Sequence, residues 1–286
     1  MEADRARILL TCVDRPGIVA HVSSTLYRLG ANIVELDQYT TAPWGGRLFM
    51  RVEFLLPGLE KRRGELEESL RELSESWDIE FQLHFASQRK RVVVFASFAD
   101  HALLELLHLW RNGELSGDIV AVVSNHTRLA HAVSAYDVPY HHVPVNREKK
   151  EEAEKTILEL LEGYRPNLLV LARYMQILSP DFVRRFPNRI INIHHSFLPA
   201  FVGKNPYEQA YARGVKLIGA TAHYVTEGLD EGPIIEQDVA RVTHRASLAT
   251  FKQIGRDIER RVLARAVKWH LEDRILVYEN KTIVFV

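Results

Sequence analysis

The sequence predicts an α/β protein in two parts: a small βαββαβ unit over residues 1–85 and a larger unit with a mostly parallel sheet over residues 91–286. Three observations carry this expectation. The first 85 residues alternate period-two strands with helical segments, the order of a ferredoxin-like unit. From Arg91 onward, continuous apolar runs alternate with amphipathic helices. Between them, Ala86-Ser87-Gln88-Arg89-Lys90 is polar and basic and reads as a linker over 86–90.

The elements follow in order. Ala6–Thr11 is a short apolar strand that ends at Val13-Asp14-Arg15-Pro16-Gly17-Ile18, where Pro and Gly mark a sharp turn. Ile18, Val22, Leu26 and Leu29 then recur at helical spacing until Gly30 stops the helix. Asn32–Tyr39 is the next strand. In Arg47–Leu55, Leu48, Met50, Val52 and Phe54 alternate with Arg47, Phe49, Arg51 and Glu53, which predicts a half-buried antiparallel strand. A charged helix over Leu59–Leu73 and an alternating strand over Ile79–Phe85 complete the unit. Beyond the linker, Arg91–Ala96, Asp118–Val123 and Asn167–Ala172 read as strands buried on both faces, with helices near His101–Trp110, Thr127–Ala135 and Lys149–Tyr164. Such alternation implies right-handed crossovers and a ligand site outside the strands' carboxyl ends. A long amphipathic helix over Ser247–Asp273 and a hairpin around Asn280-Lys281 close the chain.

Composition excludes some functions. Lys plus Arg, 37, equals Asp plus Glu, 37, so no global field draws the chain to nucleic acid or an anionic membrane. Cys12 is the sole cysteine, which excludes an internal disulfide and suits a small buried hydrophobe. The start, MEADRARILL, is acidic and lacks the apolar core of a signal peptide, and no stretch approaches 18 apolar residues. The expected location is cytoplasmic.

Chemistry concentrates in Arg189–Asp238. A short apolar run, Ile190, Ile191 and Ile193, breaks into a polar turn at Asn192, His194, His195 and Ser196. Asn192 and His194 lie two residues apart on a strand and share a face. Lys216–Val225 is a second strand-like segment that carries His223, followed by the acidic turn from Thr226 to Pro233 with Asp230 in it. An amide can donate to an oxyanion, an imidazole can move a proton near neutrality, and a carboxylate can activate water or fix the imidazole's tautomer. The set suits acyl-type chemistry on a carbonyl.

The wording Asn192-Ile193-His194, then Ser-Phe-Leu-Pro, then Leu-Asp-Glu-Gly-Pro-Ile-Ile with its aspartate 230 − 194 = 36 residues after the histidine, resembles the folate-dependent formyltransferase family. The resemblance spans Arg91–Val286, and NIHHSFLPAF, ATAHYV and LDEGPIIEQD are most similar to the family's hydrolytic, deformylase branch. It implies a Rossmann-like catalytic domain and a triad of Asn192, His194 and Asp230 acting on 10-formyltetrahydrofolate. Water would be the acceptor, giving formate for purine synthesis and one-carbon balance. Folate is then the substrate, and no metal or redox cofactor is implied. By position, Met175, Gln176, Ile177 and Leu178 match the segment that cradles the pterin ring through backbone groups, and the resemblance also implies substrate contacts at Thr226, Glu227 and Leu229. In the amino-terminal unit, the turn Asp14-Arg15-Pro16-Gly17-Ile18 resembles the ACT family of amino-acid-sensing domains. That implies an amino-acid effector at Asp14, Pro16, Gly17 and Ile18, near amides that would favour its carboxylate, and a homo-oligomer.

Several residues carry blander readings beside the functional ones. His195 faces away from His194 on a strand, so packing or hydrogen bonding is its expected role. His223 is either support for the triad or a core residue. Ser196 lacks a GxSxG elbow. Glu227, Asp230 and Glu231 together would raise one another's pKa if they form a carboxylate cluster. Paired histidines without an HExxH helix or a second cysteine argue against zinc. The loop Phe95-Ala96-Ser97-Phe98-Ala99-Asp100-His101 has no glycine and holds an acid, unlike the phosphate-binding loop of family members that formylate a ribonucleotide. No extra carboxyl-terminal domain for initiator tRNA follows. The deformylase branch commonly has a cysteine after that histidine, where this chain has Ala102, so no catalytic role is expected there. Two other classes fit less well: a formyltransferase to a non-phosphorylated amine, and a non-catalytic sensor.

Overall fold

The computed structural model describes residues 2–146, 149–199 and 205–286. The chain divides into two compact units. The first comprises Met1–Arg89 with Asp273–Leu276 and Ile283–Val286; the second comprises Lys90–Glu272 with Val277–Thr282.

In the first unit the elements are β1 (Arg5–Val13), α1 (Ile18–Arg28), β2 (Asn32–Thr40), β3 (Arg47–Leu55), α2 (Leu59–Trp77) and β4 (Glu80–Phe85). The sheet order is β2-β3-β1-β4 and all pairs are antiparallel, as the βαββαβ pattern predicts. One sheet face, with Ile8, Leu10, Met50 and Val52, packs on Val22 and Leu26 of α1 and on Leu66 and Leu70 of α2. Each such side chain contributes roughly 1.5–3 kcal/mol on burial. Cys12 is buried and free.

The half-buried reading of β3 fails. Its alternate face is buried too: Arg51 is 1% and Glu53 7% exposed. The cause lies 222 residues away, where Asp273 accepts from Arg51 Nε through its carbonyl at 3.0 Å. Arg51 also pairs with Glu35 at 2.6 Å and Glu53 at 2.7 Å, and Arg7 reaches Glu53 at 3.0 Å and Asp273 at 3.3 Å. Charged side chains that look solvated in sequence here satisfy one another in the interior.

This network makes the unit acid-sensitive. Burial alone would raise the Glu53 carboxyl, but its bonds to Arg7, Arg5 and Arg51 outweigh that and lower it from 4.5 to about 2. At 1.36 kcal/mol per unit the shift corresponds to about 3 kcal/mol. A depressed folded-state pKa stabilises above the unfolded value and is lost as pH falls through the folded one. The thermal midpoint is therefore expected to drop between pH 4.5 and 2, and Glu53→Gln to flatten that slope in a pH series. Parallel profiles would refute this account.

The second unit contains β5 (Lys90–Ala96), α3 (His101–Arg111), β6 (Gly117–Ser124), α4 (Ala130–Ser134), β7 (Tyr140–His142), α5 (Lys150–Tyr164) and β8 (Leu168–Ala172). It continues through α6 (Pro180–Arg184), β9 (Ile190–His194), α7 (Pro206–Arg213), β10 (Leu217–Tyr224), β11 (Ile234–Arg241) and α8 (Leu248–Leu271). The sheet order is β11-β10-β9-β8-β5-β6-β7. Strands β5 to β9 pair in parallel, whereas β10 and β11 run antiparallel. The helix expected at Thr127–Ala135 shortens to α4, and β7 and β11 appear where the sequence showed no strand pattern. Ser179 caps α6, with Pro180 at its first turn, and Ser247 caps α8, each hydroxyl accepting a backbone N–H. A closing hairpin of β12 (Ile275–Tyr278) and β13 (Lys281–Val284) contributes its ends to the first unit and its tip to the second. Among the described residues, no helix is long and apolar enough to cross a membrane.

Candidate active site

Sheet order places the site. Strand β5 has β6 on one side and β8 on the other, so the crossover direction reverses there, and ligands sit beyond the carboxyl ends at such a point. β9 delivers Asn192 and His194 at that edge. Antiparallel β10 sets His223 opposite Asn192 and Thr221 opposite His194.

The three residues proposed as a triad do converge. His194 Nδ1 lies 3.2 Å from Asp230 Oδ2, and His223 Nε2 lies 3.5 Å from Asp230 Oδ1. Asn192 Nδ2 is 3.2 Å from His223 Nε2. The partners fix the tautomers. His223 Nδ1 must donate to the Tyr224 carbonyl at 2.9 Å, so in the neutral ring Nε2 accepts one hydrogen of the Asn192 amide. The amide's second hydrogen stays available for a substrate oxygen. His194 donates through Nδ1 to Asp230, which leaves Nε2 as a lone pair; that atom is buried with no partner among the described residues. A buried imidazole with one nitrogen held by a carboxylate and the other unpaired is set to take a proton.

The expectation of a raised Asp230 pKa is overturned. Burial would raise it, but the hydrogen bond from His194, with the His223 imidazole 3.5 Å away on the other side, outweighs burial and holds the carboxyl well below the usual range. Its neighbours in sequence are engaged elsewhere, with Glu227 pairing with Arg184 at 2.9 Å. The relevant neighbours were imidazoles, contributed by the two strands.

Asp230 sits on a left-handed turn residue at φ 58°, a conformation Asp and Asn tolerate better than most. The turn is tied down from outside: Asn280 Nδ2 donates to the Glu231 carbonyl at 3.0 Å and Thr282 Oγ1 to that of Ile234 at 2.6 Å. Gly232 permits the close return, since a Cβ there would run into the Tyr224 carbonyl oxygen. Gly232→Ala must therefore displace backbone, and is expected to cost roughly 1–3 kcal/mol and at least tenfold in turnover. Thermal melting beside steady-state rates checks both.

Thr221, fully buried, accepts from Leu198 N at 3.1 Å and donates to the Ser196 carbonyl at 2.9 Å, anchoring the segment that follows β9. It lies inside the ATAHYV segment, but no role had been assigned to it from sequence. Of the other expected contacts, Met175, Ile177 and Leu229 are exposed apolar side chains, while Leu178 packs into the core. Met175 N donates to Ser97 Oγ at 3.1 Å, which positions that loop. Thr226 lies partly buried and its Oγ1 donates to the Gly228 carbonyl at 3.3 Å, and Gln176 is half-buried. A cavity of about 600 Å³ lined by Leu198, Leu229, Asp230, Ile234 and Lys281 opens beside the carboxylate. His195 packs between His194 and Tyr207 with tilted rings, centroids 5.3 and 6.0 Å apart, and burial with nearby Arg173 lowers its pKa to about 3. It therefore stays neutral, in keeping with a packing role.

In the first unit, Gly17 starts α1 at φ 100°, and Ile18 is buried in the core. Asp14 N donates to the Gly46 carbonyl at 2.7 Å, Pro16 is exposed, and Trp77 flanks the turn through Arg15 and His21.

Comparison with known proteins agrees with this architecture. Residues 90–267 match the formyl transferase family and residues 6–73 the ACT domain family. Formyltetrahydrofolate deformylase of Bacillus subtilis is 55% identical over 99% of this chain and 94% of its own length. The crystal structure of a formyltetrahydrofolate deformylase from Pseudomonas syringae pv. tomato superposes with TM-score 0.93 at 47% identity, covering 99% of this chain and 95% of that one. A phosphoribosylglycinamide formyltransferase from Anaplasma phagocytophilum matches with TM-score 0.64 at 32% identity, over 69% of this chain and 94% of its own. With near-complete coverage at this identity, an ACT domain joined to a formyl transferase domain, and Asn192, His194 and Asp230 brought together, the chain belongs to the formyltetrahydrofolate deformylase family.

Proposed function

We propose that this chain hydrolyses 10-formyltetrahydrofolate to formate and tetrahydrofolate. The observation that carries the reading is the His194–Asp230 pair, with His194 Nε2 buried and unpartnered beside an amide that has one hydrogen to spare. Water adds to the formyl carbon while His194 Nε2 takes its proton. The oxyanion of the tetrahedral intermediate receives the free Asn192 N–H, and ionised Asp230 stabilises the imidazolium. The C–N10 bond then breaks, the proton passes from His194 to N10, and the formic acid so formed leaves as formate, giving its remaining proton to solvent. Asp230 thus acts by orienting and charging His194; its depressed basicity makes direct proton abstraction from water the weaker role.

The pterin ring is assigned to Met175–Leu178 and the turn of Thr226, Glu227 and Leu229, where Met175, Ile177 and Leu229 leave apolar surface exposed. Water is favoured as acceptor because the loop before His101 lacks glycine and carries Asp100. The step uses no cofactor, since folate is consumed as substrate. The wider role is cytoplasmic formate supply for purine synthesis. The ACT unit supplies a site for a small amino acid at Asp14, Pro16, Gly17 and Ile18 and a surface for pairing into a homo-oligomer. Formate release from 10-formyltetrahydrofolate by purified protein, with no amine present, tests the central claim. Well-folded protein that releases none, yet passes the formyl group to an added amine, would replace hydrolysis with transfer. Titration with amino acids, comparing wild type with Gly17→Ala, tests the effector site separately.

A further inference from the structure

Beside His195 lies a second cavity, of about 260 Å³, that the steps above do not use. Arg173, His101, Tyr207, Arg256 and Glu259 form its wall. Glu259, fully buried on α8, is held by His101 Nε2 at 2.8 Å and by the Tyr207 hydroxyl at 2.5 Å. Gly255 makes room for Tyr207, because a Cβ there would overlap its ring. Arg173 follows the last residue of β8 in a left-handed conformation, φ 63°. It approaches Glu259 only to 3.4 Å, and its Nε and Nη1 are buried with no hydrogen-bond partner among the described residues. His101 Nδ1, on a side chain 9% exposed, is likewise without a partner. Buried polar atoms left unpaired call for an occupant.

The charge balance says which kind. Lys252 is matched by Glu208 at 2.7 Å and Arg173 stands 3.4 Å from the carboxylate of Glu259, whereas Arg256, exposed at the cavity's wall, has no ion pair among the described residues, so the lining carries one cation in excess. A small monoanion with two oxygens fits a guanidinium fork. A dianion such as phosphate meets Glu208 and Glu259 in the same wall. We propose that this cavity is a formate subsite, in which Arg173 and Arg256 receive the carboxylate formed at His194 and draw it away from the reacting atoms. This rests on the hydrolytic reading, and the subsite itself makes and breaks no bond.

Binding of ¹³C-formate followed by NMR, together with formate inhibition of turnover, tests it in wild type, Arg173→Gln, Arg256→Gln and Asp230→Asn. Wild type and Asp230→Asn should bind formate alike, although the second has lost turnover. Both arginine variants should bind it about tenfold or more weakly, the size expected for losing a charge-assisted pair. Arg256→Gln breaks no pair in the fold, so it remains informative should Arg173→Gln unfold. Unchanged formate affinity in folded Arg256→Gln and Arg173→Gln, or displacement of formate by equimolar phosphate, would overturn the proposal. Failure of the hydrolytic reading shows separately, as absence of formate release by wild type.

Discussion

Asp230→Asn is expected to lower kcat by roughly 10³–10⁴ while leaving KM within a few-fold, on the pattern of removing the orienting carboxylate of a catalytic triad. The substitution is unusually clean. Position 230 has φ 58°, and Asn is among the few residues that accept the left-handed region, so the turn keeps its shape while the charge is removed. An amide can still touch His194 Nδ1, but it can also donate, and then it favours the tautomer that places the hydrogen on Nε2 and blocks proton uptake. It also fails to stabilise the imidazolium. Asp230→Ala would confound these losses with backbone strain. Steady-state kinetics with circular dichroism as a folding control decides the matter. A variant within tenfold of wild type would leave Asp230 as a structural partner of two histidines. Because its carboxyl is held far below neutrality, no limb of the rate profile between pH 5 and 9 should belong to Asp230.

Asn192, His194 and Asp230 were legible because two of them share a strand face and the third follows at a spacing that resembles a known motif. The βαββαβ order and the parallel strands were legible because hydrophobic periodicity is local information. What was not legible depends on distant partners. Arg51 and Glu53 alternate with apolar neighbours as solvated residues do, and it takes partners distant in sequence, Asp273 and Glu35 at Arg51 and Arg7 at Glu53, to hold them in the interior. β11 follows a polar turn and mixes Glu236, Gln237 and Asp238 with its apolar residues, so its period is weak; its pairing with β10 settles its conformation. His223 stayed ambiguous until register placed it opposite Asn192. For Glu259 a signal did exist. It falls on the same stripe of α8 as Phe251, Gly255, Ile258 and Val262, and a charge on the buried face of a helix implies a partner.

Glu259→Gln should be the most destabilising of the conservative changes considered, by about 3–5 kcal/mol, as for removing one member of a buried ionic cluster. Two effects oppose each other at this carboxylate. Burial favours its neutral form, but His101, Arg173 and Tyr207 outweigh burial and hold the carboxyl below its ordinary range. Its contribution is thus present at neutral pH and fades in acid. Gln removes the charge and leaves the Arg173 guanidinium with no anion within 4 Å among the described residues. For a unit of this size the loss corresponds to a fall in melting temperature of roughly 6–20 °C. If stability were the sole reason for the cluster, removing both charges should be harmless, because well-packed apolar groups replace buried ion pairs at little cost. The double variant Glu259→Gln with Arg173→Met is therefore expected to recover at least half of the lost stability. It should not recover formate binding, because the fork that receives the anion is gone. Stability and affinity that return together would show that Arg173 only balances Glu259. Their separation would mean that the fold tolerates a costly buried carboxylate in order to hold a guanidinium ready for the product.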